Sequence, residues 1–270
     1  MEGELEISLP PGPLDRATSD ALIAQLVGPG GWMQPTSWGT GEPDEKALRR
    51  GEDAAALLSD RLAQAGEVVF AQKGAGFILV KPDRRDLTYW GGVHIGSGSP
   101  DFFATMAARP DVPALMALLR APLAVLATRD ARAAFSKRLV PGRYGELEQG
   151  TVDGYHRGLE HPHWRMWFGP EWTEFLTRDA LARAPAFVSR REGDGWFVQV
   201  HERPEQWDQP AGRAAAQQFA AALGKNVFYD PADPERTLAA PSFAPRMAAA
   251  RAQHPSLKEF VAPALGAGPR

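Results

Sequence analysis

The chain contains no cysteine. This excludes a disulfide scaffold, a thiol nucleophile and any cysteine-ligated metal, and it suits a reducing compartment. Long apolar runs are missing too: the longest, at residues 122–127, is far short of the ~20 residues that span a bilayer. The N-terminus, MEGELEISL, is acidic and alternating, unlike a signal peptide. An excess of one charge is also lacking. Thirty Lys and Arg stand against 33 Asp and Glu, a formal net charge of −3, so electrostatics give no reason to expect nucleic acid. There is no G-x-S-x-G nucleophile elbow and no G-x-x-x-x-G-K-[ST] phosphate loop. These absences leave a soluble, cytoplasmic globular protein, long enough at 270 residues for one large domain or two small ones.

What is present is concentrated. Residues 151–208 hold five of the eight Trp and four of the six His. Before that region the hydrophobic pattern predicts a strand at 4–9, a helix ending near 26, an irregular loop at 28–43 carrying Trp32 and Trp38, and a helix at 53–65. Strands at 67–72 and 76–81 follow as a hairpin around Gly74, then a third strand at 87–95. Ser99, Pro100 and Asp101 read as a capped helix start rather than an anion site. A helix at 112–120 and a buried strand at 122–127 complete the first half. The second half is expected to carry a helix at 173–183, a hairpin of 186–191 with 195–202 around Gly193, and helices at 209–223 and 245–254.

The two hairpins echo each other. Leu62-Ala63-Gln64-Ala65 and Leu181-Ala182-Arg183-Ala184 each lead into one, and without a gap Val69 aligns with Val188, Gly74 with Gly193 and Phe77 with Trp196. Matching turn glycines imply the same positive-φ turn twice. The expectation is an α+β fold of two similar helix–hairpin halves, with an antiparallel sheet and helices packed on one face. As a single α+β domain it would divide into a half at 1–128, a connector at 129–150, a half at 151–230 and a tail at 231–270.

Two constellations bear on chemistry. Asp153, His156, Glu160, His161 and His163 lie within eleven residues, with the donor types of a zinc or iron site. Their spacing matches no standard ligand motif, and Pro162 interrupts it. No metal and no cofactor is therefore expected, the alternative being a metal-dependent hydrolase on Asp153, His156, His161 and His163. The second constellation is Trp164, Trp167, Phe168, Trp172 and Phe175, an aromatic elbow broken at Pro170. It should be mostly buried, with one Trp edge exposed beside the 28–43 loop at a common end of the molecule.

The run Trp164-Arg165-Met166-Trp167-Phe168-Gly169-Pro170-Glu171-Trp172, followed by a helix, Ala184-Pro185-Ala186-Phe187 and a glycine-turn hairpin, resembles bacterial immunity proteins of polymorphic toxin and type VI secretion systems. The resemblance is best over residues 158–223. It implies an α+β, non-enzymatic protein that binds and occludes a cognate toxin, and it transfers no individual binding residue. The chain lacks the acidic patch of inhibitors that block basic nucleases, which argues against a nuclease partner. The candidate partner-binding anchors are Trp32, Trp38, Trp164 and Trp172, since Trp is enriched at interface hot spots. A structural protein of a phage or secretion apparatus is a further alternative.

Overall fold

In the computed structural model, residues 1–9, 14–40, 46–82, 92–136, 158–159, 161–224, 226–230, 232–233 and 238–253 are described. Of the expected elements, the polar end of the connector and the first part of the 87–95 strand lie outside them. The strands are β1 (Gly3–Ser8), β2 (Ser37–Gly39), β3 (Lys46–Ala47), β4 (Val68–Gln72), β5 (Gly76–Lys81), β6 (Gly92–Ser97), β7 (Leu123–Thr128), β8 (Arg165–Phe168), β9 (Val188–Glu192) and β10 (Gly195–Gln199). They form one sheet in the order β3-β2-β4-β5-β6-β1-β7-β8-β10-β9, every neighbour antiparallel. The helices are α1 (Arg16–Val27), α2 (Ala54–Ala65), α3 (Pro100–Ala108), α4 (Val112–Leu119), α5 (Arg129–Ser136), α6 (Pro170–Leu176), α7 (Arg178–Arg183), α8 (Pro210–Leu223) and α9 (Ala244–Gln253). The α+β class and the antiparallel sheet are as the sequence predicts.

Two apolar cores lie on opposite faces of this sheet. Side chains alternate along a strand, so β7 sends Ala124 and Leu126 into one core and Leu123 and Val125 into the other. The first core packs α1 to α4 against β1 and β4–β7 through Leu5, Ile7, Phe70, Ile78, Leu22 and Leu115. The second packs α6 to α8 against β7, β8 and β10 through Met166, Phe168, Trp172, Val198 and Phe219. Each half thus has its main helices on one face of its strands, and the two halves use opposite faces. Among the described residues no single helix is long and apolar enough to cross a membrane, and the bent pair α3–α4 that passes on composition spends its apolar face on the first core.

The echo between hairpins is real up to the turn and fails after it. Gly74 and Gly193 both turn with positive φ, 77° and 57°. Val69 and Val188 both point away from the helix that precedes them, as their pairing with Leu79 and Gln199 shows. The first turn, however, has three residues between Gln72 and Gly76, and the second has two between Glu192 and Gly195. One residue of difference flips every later side chain. Phe77 therefore lies on the face away from α2, whereas its counterpart Trp196 enters the core under α7.

The aromatic elbow also differs from expectation. Residues 165–168 are not an irregular approach but strand β8, whose Trp167 faces the first core and whose Met166 and Phe168 face the second. With both faces covered, no polar–apolar alternation marks it as a strand. The expected helix at 173–183 is two helices, split at Thr177, a non-glycine residue at φ 69°. Trp172 is fully buried, and its Nε1 has no hydrogen-bond partner among the described residues. Trp172→Ala is expected to cost about 3–5 kcal/mol, the range for emptying a buried aromatic site, measured by urea unfolding. A cost below about 1 kcal/mol, in the surface range, would show that the second core does not rest on this ring.

Candidate functional site

The four indoles expected to anchor a partner are all inside the molecule. Trp32 is pinned by its Nε1 donating to Asp111 Oδ2 at 3.1 Å, with the Arg109 guanidinium 4.8 Å over its ring. Trp38 packs on the first core between Lys46 and Arg61. Trp164 donates to the His201 carbonyl at 3.1 Å and lies 6.0 Å from Phe103. Trp172 belongs to the second core. Nor do the two aromatic segments share one end: Trp38 sits on β2 and Trp164 leads into β8, six positions across the sheet, roughly 29 Å at ~4.8 Å per strand. The physical reason is area. Each ring removes a large apolar surface from water, and the cores on both faces take them.

What the Phe-Gly-Pro element does form is a groove of about 350 Å³. Its walls come from four separate stretches: the end of α4 (Met116, Ala117, Arg120), the β8–α6 junction (Trp167 to Pro170), the β9–β10 turn (Glu192 to Trp196) and Arg246 of α9. Two glycines let these stretches meet. A Cβ on Gly169 would lie 2.6 Å from the Ala121 carbonyl, and one on Gly195 would lie 2.2 Å from the Phe168 carbonyl. Gly169 N–H donates to the Pro122 carbonyl at 2.8 Å, and Pro170 occupies the first helical turn, where a missing N–H costs nothing.

The rim is charged and partly committed. Glu192 accepts from Trp167 Nε1 at 3.1 Å and from Arg190 Nε at 3.0 Å. Arg246 is bonded to Glu171 and to the Arg120 carbonyl. Trp196 Nε1 donates to Ser189 Oγ at 2.8 Å. The groove is therefore preformed, with an apolar floor and carboxylates and guanidiniums at its edge, the composition of a binding site. Sequence reasoning found the Phe-Gly-Pro run and the Gly193 turn, but not Met116, Ala117, Arg120 or Arg246, which no spacing connects to them.

The histidines separate into two environments. Asp153, His156 and Glu160 lie outside the described residues. His161 and His163 line a small cavity of about 40 Å³ together with His201, which comes from the end of the second hairpin. The rings of His161 and His163 stand edge to face at 6.1 Å. His163 Nε2 is buried without a hydrogen-bond partner among the described residues. Burial first, then the nearby His161 and Arg132, hold His163 well below the ordinary imidazole value, so it is neutral. His201 is lowered by burial.

On the same sheet face, Glu4 and Glu6 of β1 meet His94 of β6. His94 Nδ1 is 3.2 Å from Glu6 and 3.7 Å from Glu4. The donor atoms of these three lie within 4.8 Å of one another, close enough to hold a metal ion. That position is contested, because Arg132 Nη1 lies 3.0 Å from Glu4 and 2.5 Å from Glu6. Burial alone would depress His94, but hydrogen bonds to Glu4 and Glu6 push it up to about 10. Burial alone would raise Glu6, but Arg132 and His94 hold it well below the carboxylate range. Two anions and two cations close the charge, so the cluster is a buried ion-pair network holding α5 to β1 and β6.

No protein-family model matches the chain, and no curated protein matches it. Among solved structures, a T6SS protein of Pseudomonas aeruginosa is similar at 11% sequence identity and a TM-score of 0.45, over 91% of this chain and 80% of that chain. A likeness of that size carries no functional argument.

The two kinds of histidine set opposite pH limits. His94 is raised on folding, so its contribution is full below pH 6.5 and is lost as pH climbs toward about 10. His163 is depressed, so its contribution is full above 6.5 and is lost as pH falls. Unfolding free energy measured against pH should therefore decline on both sides of neutrality. His94→Gln should flatten the alkaline limb, and His163→Phe should flatten the upper part of the acid limb. An alkaline limb unchanged in His94→Gln would show that the network does not stabilise the fold.

Proposed function

We propose that the chain is a non-enzymatic binding protein of the immunity type, which occludes a cognate toxin by docking it on the Phe-Gly-Pro groove. The observation that carries this reading is the groove itself. It is preformed, about 350 Å³ in volume, and built by the same Trp167–Pro170 element and glycine turn on which the resemblance to immunity proteins rests. A rigid groove binds without the cost of ordering loops. Trp167 and Trp196, both largely buried, show only an edge at its floor, and Trp is a residue type that dominates hot spots. The partner's anchor would be a hydrophobic side chain inserted between α4 and the β9–β10 turn, with charged neighbours meeting Arg120 and Asp194 at the mouth. Trp32, Trp38, Trp164 and Trp172 are buried in the cores and do not line this groove.

Ala117 gives a direct test because it is an exposed small residue on the wall. Ala117→Trp should plug the groove and leave both cores intact. Binding to the product of a neighbouring toxin gene, followed by calorimetry, should weaken at least 100-fold, about 2.8 kcal/mol at 1.4 kcal/mol per decade. The melting temperature should not change. Ala63→Trp, at an exposed position on α2, should bind like the parent. Unchanged affinity in Ala117→Trp would remove the groove from the function.

A further inference from the structure

The far edge of the sheet is a short, charged strand flanked by an exposed aromatic ring. β9 is the last strand in the order, paired only with β10 among the described residues. Its outer backbone groups can thus pair with another chain. The edge is also held rigid. Ser189 Oγ donates to the Leu181 carbonyl at 2.6 Å and accepts from Trp196 Nε1, which ties β9 to α7 and to β10. Nothing in Val188–Glu192 blunts it by proline or bulge.

Immediately before β9 stands Phe187, which is 56% exposed, while the other aromatic rings named in the cores are buried. It borders a shallow groove of about 300 Å³ whose apolar lining includes Pro185, Ala186 and Val200 and whose polar lining includes Glu202, Gln206 and Gln218. At its other end β9 runs into the Glu192-Gly193-Asp194 turn. Five residues at ~3.4 Å each make an edge of roughly 17 Å.

Charge selects the occupant. Arg190 is spent on Glu192 and lies 4.7 Å over Phe197. Arg191 is exposed and meets the Gly193 carbonyl rather than a carboxylate. Arg183, exposed at the last turn of α7, adds a second cation beside the strand. Antiparallel pairing of two copies of β9 about Arg190 would set guanidiniums against each other, and like charges directly opposite are destabilising. A strand bearing carboxylates meets the reverse situation.

We propose that β9 is a docking edge that takes an extended, acidic segment of a partner protein as an added strand, with an apolar side chain of that segment seated against Phe187. Main-chain hydrogen bonds would supply affinity, and the Phe187 groove and the arginines would supply selectivity. The edge adjoins the groove at Glu192, where β9 ends, while Phe187 stands at the opposite end of the strand, so Phe187→Ser tests the edge and Ala117→Trp tests the groove.

The test is panning of a phage-displayed random peptide library on the whole chain, then anisotropy measurements with the selected peptides. Expected are peptides of alternating apolar and acidic residues, bound at least tenfold more weakly by Phe187→Ser and by Arg191→Glu. Ala117→Trp should bind them like the parent, and amide exchange at 188–192 should slow in the complex. Both edge substitutions are at exposed positions, and an unchanged melting temperature confirms the fold. The proposal is overturned if no peptide is enriched, if the selected peptides bind both edge variants normally, or if protection falls elsewhere. A dimer of the chain that dissociates in Phe187→Ser would overturn it too, by making the edge a self-interface.

Discussion

The structure depends on one strand being buried on both faces. β7 is buried along its whole length from Leu123 to Thr128, between β1 of the first half and β8 of the second. Its even-numbered apolar residues feed the core under α1–α4, and its odd-numbered ones feed the core under α6–α8. A strand in this position must be apolar throughout, which is why LAVLAT shows no alternation. Ser8 reinforces the seam: its Oγ donates to the Leu123 carbonyl at 2.8 Å, and Leu123 N–H donates back to Ser8 Oγ at 3.1 Å. Everything that positions the candidate groove follows from this seam. The end of α4 belongs to the first core and the β8–α6 junction to the second, and the groove opens where they meet at Ala121 and Gly169.

How much of the fold could be read from the chain varied with the kind of signal. Hairpins announced by a glycine turn between apolar runs were legible, because the turn demands a residue that tolerates positive φ. Which core each strand faces was not, because that depends on whether a turn holds two residues or three. The β9–β10 turn differs from the β4–β5 turn by that single residue, and Trp196 and Phe77 part company there. Strand β8 was hidden for a different reason. Met166, Trp167 and Phe168 are apolar in succession because both faces are covered, and a short apolar run followed by proline has no period to reveal it.

The candidate site was legible only in part. Trp-rich sequence marked the stretch that lines one wall of the groove, but large rings signal burial before they signal binding, and Trp32, Trp38, Trp164 and Trp172 all went to packing. The Phe-Gly-Pro run does line the groove, yet its opposite wall comes from Met116, Ala117 and Arg120, about fifty residues away in sequence. Only tertiary structure joins them. The same holds for the ion-pair network: the alternation of Glu4 and Glu6 showed a polar strand face, while His94 and Arg132 reached it from β6 and α5. His201 joined His161 and His163 in the same way.

The central claim is that β7 couples two opposed cores into one cooperative unit. The direct measurement is equilibrium unfolding of Val125→Ala and Leu126→Ala, adjacent residues that face different cores, each followed by tryptophan fluorescence and by far-ultraviolet circular dichroism. The account predicts a single transition for the parent and for both variants, with coincident probes, displaced in each case by the destabilisation expected of a buried aliphatic truncation, on the order of 2–4 kcal/mol. Two separable transitions, one shifted by Val125→Ala and the other by Leu126→Ala, would contradict it.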